Sequence, residues 1–406
     1  MTVKTSYDVI VVGGGPAGST AARRAAQQGA SVLLLDAAAF PRSKPCGGGV
    51  SEQAMSYLDF ALDPSLFQAD VFGARVHFED QTVEVRAPFR IAVLTRRLDF
   101  DAYLLGKAAE AGVRVLESAR VVRAESRADA VLVQTSTETF QGRFLIGADG
   151  AQSVVAKLVR PKWPRSQYAV TYEFDVPRRE LPASGTEPDD LIDIYFGTAY
   201  MGYAWVFGKR DHLNVGLGAL ASRAPNVKTA ALDFHQTLPI SGSNRGAERR
   251  NAVGWMVPAG GYKRIVARGR VMLAGDAAGF VDPFYGEGIA YAILSGAEAG
   301  RLAGQAARGL ETVERTRASY SSFCRRSIDR NLWYGLVFAR LLHAWPAGLL
   351  RLFSTDRELL QKYLDVPAAR MPYRQYVRWF LLRALAGLPK AWRSRTAVRR
   401  HERRTR

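Results

Sequence analysis

The stretch YDVIVVGGGPAGSTAARRAAQQGASVLLLD, Tyr7 to Asp36, decides how this chain folds. It reads as a buried strand from Tyr7 to Val12, a tight glycine turn, a helix from about Ala17 to Gln28 and a second strand ending at Asp36. Both strands are continuous apolar runs rather than alternating ones, which predicts a parallel sheet covered on both faces. Gly13, Gly15 and Gly18 set the spacing G-x-G-x-x-G between strand and helix. Glycines there let the backbone approach a pyrophosphate, whose charge then sits at the positive end of the helix. Asp36 stands where an acid accepts hydrogen bonds from a ribose. A plain turn does not explain strand, glycines, helix and acid in this order.

The 406 residues are 48% hydrophobic, enough for two or three domains sharing a core, which excludes global disorder. LTRRLDFDAYLLGKAAEAG predicts a helix from about Phe100, followed by strand-like pieces around Val113 to Val122, Ala130 to Thr135 and Phe140 to Gly147. From Val170 to Gly218 the pattern becomes alternating and aromatic, as in an antiparallel sheet with one covered face. The segment RVMLAGDAAGF returns to the first texture. The expected fold is therefore α/β (α+β overall). A Rossmann-type domain is assembled from residues 1–60, 93–165 and 255–330, an antiparallel-sheet domain from 61–92 and 166–254, and a helical, basic C-terminal region from 331–406.

Cys46 and Cys324 are the only cysteines and lie far apart, which gives neither a disulfide framework nor a metal site of usual ligand spacing. This usage, with no secretory signal ahead of the first strand, predicts a reducing, cytoplasmic location. The net charge is +18, of which +11 falls in the segment from Val366 to Arg406, with twelve basic residues against the single acid Glu402. No helix-turn-helix, zinc-finger or ribonucleoprotein pattern accompanies it, so nucleic acid is not the expected partner. An anionic membrane surface at the cytoplasmic face and a solvated terminus both remain open. Arg370, Arg374 and Arg378 recur at helical spacing, with Tyr373, Tyr376, Val377 and Phe380 on the side away from them. Upstream, NLWYGLVFARLLHAWPAGLLRLF is interrupted by Arg340 and Arg351, eleven residues apart and so on one face of a continuous helix, which Pro346 is expected to kink or end.

FLIGADGAQS (Phe144 to Ser153) and GRVMLAGDAAGFVDPFYGEGIAYAI (Gly269 to Ile293) resemble the Asp-Gly and Gly-Asp motifs of the large FAD-dependent oxidoreductase superfamily that includes the aromatic hydroxylases. The resemblance implies FAD, with Gly275 and Asp276 at the ribityl chain and Asp149 in the Asp-Gly motif. It also implies that the helix opened by Gly286, Gly288 and Ile289 points at the flavin pyrimidine, where its free N–H groups would stabilise negative charge on a reduced flavin. RRLDFDAYL fits the family pattern R-x-x-F-D and makes Arg97 a cofactor contact, to which the resemblance adds Ala17 and Val122.

RSKPCGGGVS, Arg42 to Ser51, sets Cys46 between a proline and three glycines, a composition suited to close backbone approach. It resembles the cysteine loop of the geranylgeranyl reductase family, which saturates isolated double bonds in polyprenyl chains. The resemblance, which spans about Tyr7 to Arg330, implies that Cys46, Gly47 and Gly48 lie against the flavin ring. A further family pattern, P-x-x-Y-x-W-x-F-P, is met at Tyr203, Trp205 and Phe207, with Tyr200 and Gly208 where the family has proline. Without the resemblance those aromatics are simply one face of a strand. With it they wall a substrate pocket, and Tyr203 and Trp205 stabilise cationic character while a proton and the hydride of flavin N5 add across an alkene. Cys46 is then the candidate for proton delivery or for ordering the contact between flavin and substrate, and Cys324 is structural. The expected substrate is a polyprenyl-type lipid, and the electron donor is NADPH or a reduced carrier such as ferredoxin, for which no second dinucleotide fingerprint exists. The competing readings are a flavin monooxygenase of an aromatic or polyketide substrate, a reduced-flavin cyclase or isomerase, and a non-catalytic flavoprotein that docks on membranes.

Overall fold

The branched aliphatic run Val9 to Val12 within strand Ser6–Val12 leaves that part no face for water, and Val9, Ile10 and Val11 are fully buried. In the computed structural model, which describes residues 6–181, 189–224, 226–238, 252–259 and 264–384, this strand is central. It pairs in parallel with Val32–Leu35 on one side and Thr139–Gly147 on the other. The parallel sheet continues to Arg114–Leu116 at one edge and Val271–Leu273 at the other, so its strands come from both ends of the domain's sequence. The hairpin Val121–Ser126 and Val131–Thr135 extends Thr139–Gly147 in the antiparallel sense.

Helix Pro16–Ala26 crosses the long helix Ile289–Ala307 at backbone contact. A Cβ on Gly296 would lie 2.2 Å from the Ala17 carbonyl oxygen, and one on Gly300 would lie 2.1 Å from that of Ala21. Glycines four residues apart thus let the two helices touch, which pins the nucleotide helix from behind. The helix predicted from about Phe100 begins at Arg97 and runs to Glu110.

The second sheet has seven strands in the order Val253–Val257, Ala169–Pro177, His212–Leu220, Gly202–Gly208, Leu191–Tyr195, Gly73–Phe78 and Gln81–Arg86. Every pairing is antiparallel except that of Leu191–Tyr195 with Gly73–Phe78. Because Val253–Val257 pairs with Ala169–Pro177, this sheet runs slightly past the boundary expected at residue 254. Where the alternation predicts one covered face, both are occupied. Ala204, Val215 and Leu217 pack with helix Val227–Thr237, while Tyr203, Trp205 and Phe207 face the other way.

The C-terminal region departs from expectation. The helical run Val313–Ala344 meets Pro346–Thr355 at 102°, with Pro346 at the first turn of the second helix. Arg340 and Arg351 therefore lie on different helices and share no face. Tyr373, Tyr376, Val377 and Phe380 are no more than 2% exposed and pack with Phe338 and Phe353 against Val76, Phe78, Val83 and Val85 of the seven-stranded sheet. Their apolar side is core rather than a surface for lipid, although Arg370, Arg374 and Arg378 are exposed as the spacing predicts. The remaining basic residues, beyond 384, lie outside the described residues. Among the described residues, no single helix is long and apolar enough to cross a membrane.

Candidate flavin and substrate site

The glycine turn after the first strand is required by geometry. Gly13 has φ +102°, and a Cβ there would meet the Ala148 carbonyl oxygen at 2.3 Å. A Cβ on Gly18 would come within 1.7 Å of the Gly13 carbonyl oxygen, so the third glycine lets the helix sit on its own turn. Gly15 is the N-cap of Pro16–Ala26 and leaves that end of the helix open. Asp36 Oδ2 accepts the Gly14 N–H at 2.6 Å and Oδ1 the Ala38 N–H at 2.8 Å, which fixes the carboxylate at the strand end. Arg42, which the sequence reading passed over, brings its guanidinium to the same place: Nη2 would lie 3.5 Å from a Cβ on Gly15. A cation beside a helix N-terminus suits an anionic pyrophosphate.

The remaining cofactor residues fall into three groups. Gly275 has φ +57° and donates its N–H to Ser295 Oγ at 3.0 Å. Beside it the half-buried Asp276 carboxylate, whose Oδ1 would lie 3.6 Å from a Cβ on Gly288, makes no hydrogen bond to protein among the described residues. Gly286 has φ +75°, and Gly288 caps Ile289–Ala307. Glu287 already accepts the Ala290 N–H at 3.0 Å, so part of that helix end is satisfied by protein. Asp282, fully buried, holds this turn by accepting the Phe284 and Tyr285 N–H groups.

In the second group the carboxylates serve protein. Asp149 takes the Ser153 hydroxyl and the Val154 N–H at 2.7 Å, and burial raises its pKa. Arg97 binds Asp101 in two-pronged fashion, both contacts at 2.7 Å, and Arg42 reaches the same carboxylate at 3.1 Å. Burial works against the Arg97 charge, but Asp101 and then the Cys46 sulfur outweigh it and hold the guanidinium above its ordinary range. The third group lies at the margin. Ala17 is buried in the helix crossing, and the Val122 side chain is 52% exposed on a hairpin strand.

The Cys46 loop is clamped between the domains. The Cys46 N–H donates to Glu173 Oε1 at 2.6 Å, and the Gly48 N–H points at Cys46 Sγ at 3.4 Å. The glycines answer to protein: a Cβ on Gly47 would strike the Phe207 ring at 2.6 Å, and one on Gly48 (φ +77°) the Thr95 carbonyl oxygen at 2.1 Å. Tyr203, Trp205 and Phe207 line up beneath it with ring centroids 6.1 and 6.3 Å apart. The Tyr203 hydroxyl donates to the Tyr285 carbonyl at 2.5 Å, and Trp205 Nε1 donates to Asn214 Oδ1 at 2.7 Å. Burial, with Asp282 next, raises the Tyr203 pKa and keeps its phenol neutral. The structure thus brings Cys46, Gly47, Gly48, Tyr203, Trp205 and Phe207 together at one domain boundary.

Comparison with known proteins agrees with this geometry. Residues 6–329 match a family model described as an FAD binding domain. The chain is 34% identical over 329 residues to a menaquinone reductase of Mycobacterium tuberculosis, covering 75% of this chain and 77% of that one. It is 31% identical over 348 residues to digeranylgeranylglycerophospholipid reductase 1 of Methanothermobacter thermautotrophicus, covering 80% and 83%. The crystal structure of a geranylgeranyl bacteriochlorophyll reductase-like protein from Thermoplasma acidophilum shares the fold, with a TM-score of 0.75 at 23% identity over 93% of this chain and 96% of that one. The chain belongs to the geranylgeranyl reductase family.

It is accordingly an FAD-dependent oxidoreductase, and its residues fit that cofactor. The Gly13–Gly18 turn and Asp36 would hold the dinucleotide, and the Asp276 carboxylate, which accepts no protein hydrogen bond among the described residues, would be available to a ligand hydroxyl. Replacing Asp276 by alanine should weaken FAD retention by about 1.5–3 kcal/mol, the worth of a hydrogen bond to a charged acceptor. Titration of the flavin-free variant with FAD measures this, and unchanged affinity would remove Asp276 from the site.

Two buried charges of this geranylgeranyl reductase family member escaped the sequence reading. Glu173 sits in VTYEFDV, where Thr171, Glu173 and Asp175 alternate as a solvated strand face would, yet it is only 8% exposed under the Cys46 loop. Burial raises its pKa to about 7, against the opposing pull of the Cys46 N–H and Lys209. Lys209 is 3% exposed, its pKa lowered by burial, and its Nζ would lie 3.2 Å from a Cβ on Gly48. Because the folded-state pKa of Glu173 lies above its unfolded value, folding takes up a proton between about pH 4.5 and 7, and stability falls as pH rises through that window. Glu173→Gln carries no charge at any pH. Its stability relative to wild type should rise by about 3 kcal/mol from pH 4.5 to 8, read as a change in the difference of melting temperatures. Parallel pH profiles would show that Glu173 does not titrate there.

Proposed function

We propose that this protein saturates carbon–carbon double bonds of a polyprenyl chain. The observation that carries the reading is the meeting of the Cys46 loop with the Tyr203, Trp205 and Phe207 wall beside the FAD cradle. The names of its reductase relatives support it. FAD held at the Gly13–Gly18 turn, Asp36 and Asp276 would, when reduced, supply the hydride, with NADPH or a reduced carrier as the source of electrons. An isolated alkene accepts hydride only as a proton reaches its other carbon, so positive character develops on the chain. The neutral rings of Tyr203 and Trp205 stabilise that character and keep water away. Cys46 holds the proton to be given. The nearby Arg97 and Lys209 cations stabilise the sulfur charge left behind, and the buried Glu173 acid is placed to renew the proton. The substrate is dissolved in lipid, so the enzyme works at the cytoplasmic face of a membrane.

The test is anaerobic incubation of the reduced holoprotein with polyprenyl substrates, followed by mass spectrometry. The expected product has gained two hydrogens per reduced bond. Oxygen uptake stoichiometric with turnover would instead establish a monooxygenase, and a product of unchanged mass a cyclase or isomerase.

A further inference from the structure

We infer that the protein docks on an anionic phospholipid bilayer through the surface around Tyr200 and Trp345, and that this surface is the mouth through which the prenyl chain reaches the Cys46 loop. The inference rests on the functional reading above. Tyr200 is 57% exposed and Trp345 53% exposed, the two most exposed aromatic side chains among the described residues. They belong to separate elements that His343 joins. The Tyr200 ring centroid is 6.4 Å from that of His343, and Trp345 follows His343 by two residues at the elbow between Arg330–Ala344 and Pro346–Thr355.

From this exposed point an unbroken file of rings leads inward. His343 lies 6.5 Å from Phe196, Phe196 lies 5.9 Å from Tyr203, and Tyr203 leads through Trp205 to Phe207, against which Gly47 is pressed. Burial lowers the His343 pKa, so the file carries no charge at neutral pH. It is a continuous line of uncharged rings between the exposed surface and the Cys46 loop.

Basic residues stand at this surface. Arg223 stands over the Tyr200 ring at 5.5 Å, and exposed Arg340 and Arg351 flank the elbow. None of the three pairs with a carboxylate among the described residues, and the acids that bound the two helices, Asp329 and Asp356, are paired with Arg264 and Arg383. Tyrosine and tryptophan partition to the headgroup layer of a bilayer, and arginines beside them attract anionic lipid. Tyr200 stands at a position where the family pattern has proline, so the exposed ring is a property of this chain. This surface joins exposed aromatic rings to cations that pair with no carboxylate among the described residues, whereas the helix bearing Arg374 and Arg378 buries its rings Tyr373, Tyr376 and Phe380 in the core and exposes only the aliphatic Leu381 and Leu382 among its large fully apolar side chains.

The full-length holoprotein would be sedimented with phosphatidylcholine vesicles with or without phosphatidylglycerol. Wild type should bind the anionic vesicles, less so at high salt, and Tyr200→Ser/Trp345→Ser should bind about tenfold more weakly with unchanged flavin content. Arg340→Gln/Arg351→Gln should weaken binding at low salt, whereas Arg374→Gln/Arg378→Gln should change it little. Tyr200→Ser alone, on a surface turn, provides the same readout if the double variant folds poorly. Reduction of a long chain dissolved in vesicles should slow more under the aromatic substitutions than reduction of a short prenyl substrate in solution. Failure of wild type to bind, or equal binding by the aromatic variants, overturns the inference. Capture of an electron-donor protein by this surface in place of vesicles also overturns it. If vesicle binding behaves as expected but no prenyl chain is reduced, the docking surface stands and the functional reading fails.

Discussion

Gly18→Ala should produce a protein that folds around its sheets but is colourless. The added Cβ would lie 1.7 Å from the Gly13 carbonyl oxygen and 2.9 Å from its carbon, both backbone atoms that cannot rotate aside. The helix cannot retreat either, because Gly296 and Gly300 of Ile289–Ala307 already touch the carbonyls of Ala17 and Ala21 from behind. The turn must distort, and it is the turn that presents N–H groups to the pyrophosphate. Overpacking of this kind costs about 1–3 kcal/mol or more, and a 3 kcal/mol loss of cofactor affinity is roughly 100-fold. Gly106→Ala is the control: it lies in helix Arg97–Glu110 with nothing within 4 Å of the added carbon, and should be neutral or slightly stabilising. Flavin absorbance after gel filtration reads both. A yellow Gly18→Ala protein of wild-type affinity would refute the cradle.

Cys46→Ala should keep FAD and slow reduction of a prenyl double bond by about 100-fold, the lower range for loss of a positioned proton donor. The residue is half-buried, and its loop is held by the Cys46 N–H on Glu173 and by the close approaches at Gly47 and Gly48, with the sulfur adding only the long 3.4 Å contact from the Gly48 N–H, so the loop should persist. Cys324 is fully buried, and burial pushes its thiol pKa up, so Cys324→Ala should cost about 1 kcal/mol of stability and leave turnover alone. Single-turnover reoxidation of the reduced flavin separates the two variants. Equal, small effects would return Cys46 to a packing role.

Much of the cofactor half was legible because its requirements are local. A positive φ at Gly13 or Gly275, or a carbonyl within 2.3 Å of a would-be side chain, admits only glycine, and such demands leave marks at fixed spacing. The three aromatics of GYAWVFG were legible as one face by their period, although which core they faced was not. Arg42 was missed because an arginine in a loop has no pattern. Glu173 was missed because its alternating context is that of a wet strand face.

The parallel sheet, the glycine turn with Asp36 after it and the break at Pro346 could be read from sequence alone, since each follows from backbone constraints acting over a few residues, whereas Asp276 was reached only through the family resemblance. Only the tertiary structure decided that Glu173 meets Cys46 across 127 positions of chain, that Lys209 comes up under Gly48, and that Tyr373, Tyr376, Val377 and Phe380 cover the seven-stranded sheet. A contact between distant residues has no local signature. An amphipathic helix also has the same period whether its apolar side lies on lipid or on protein, because burial in either removes the same surface from water.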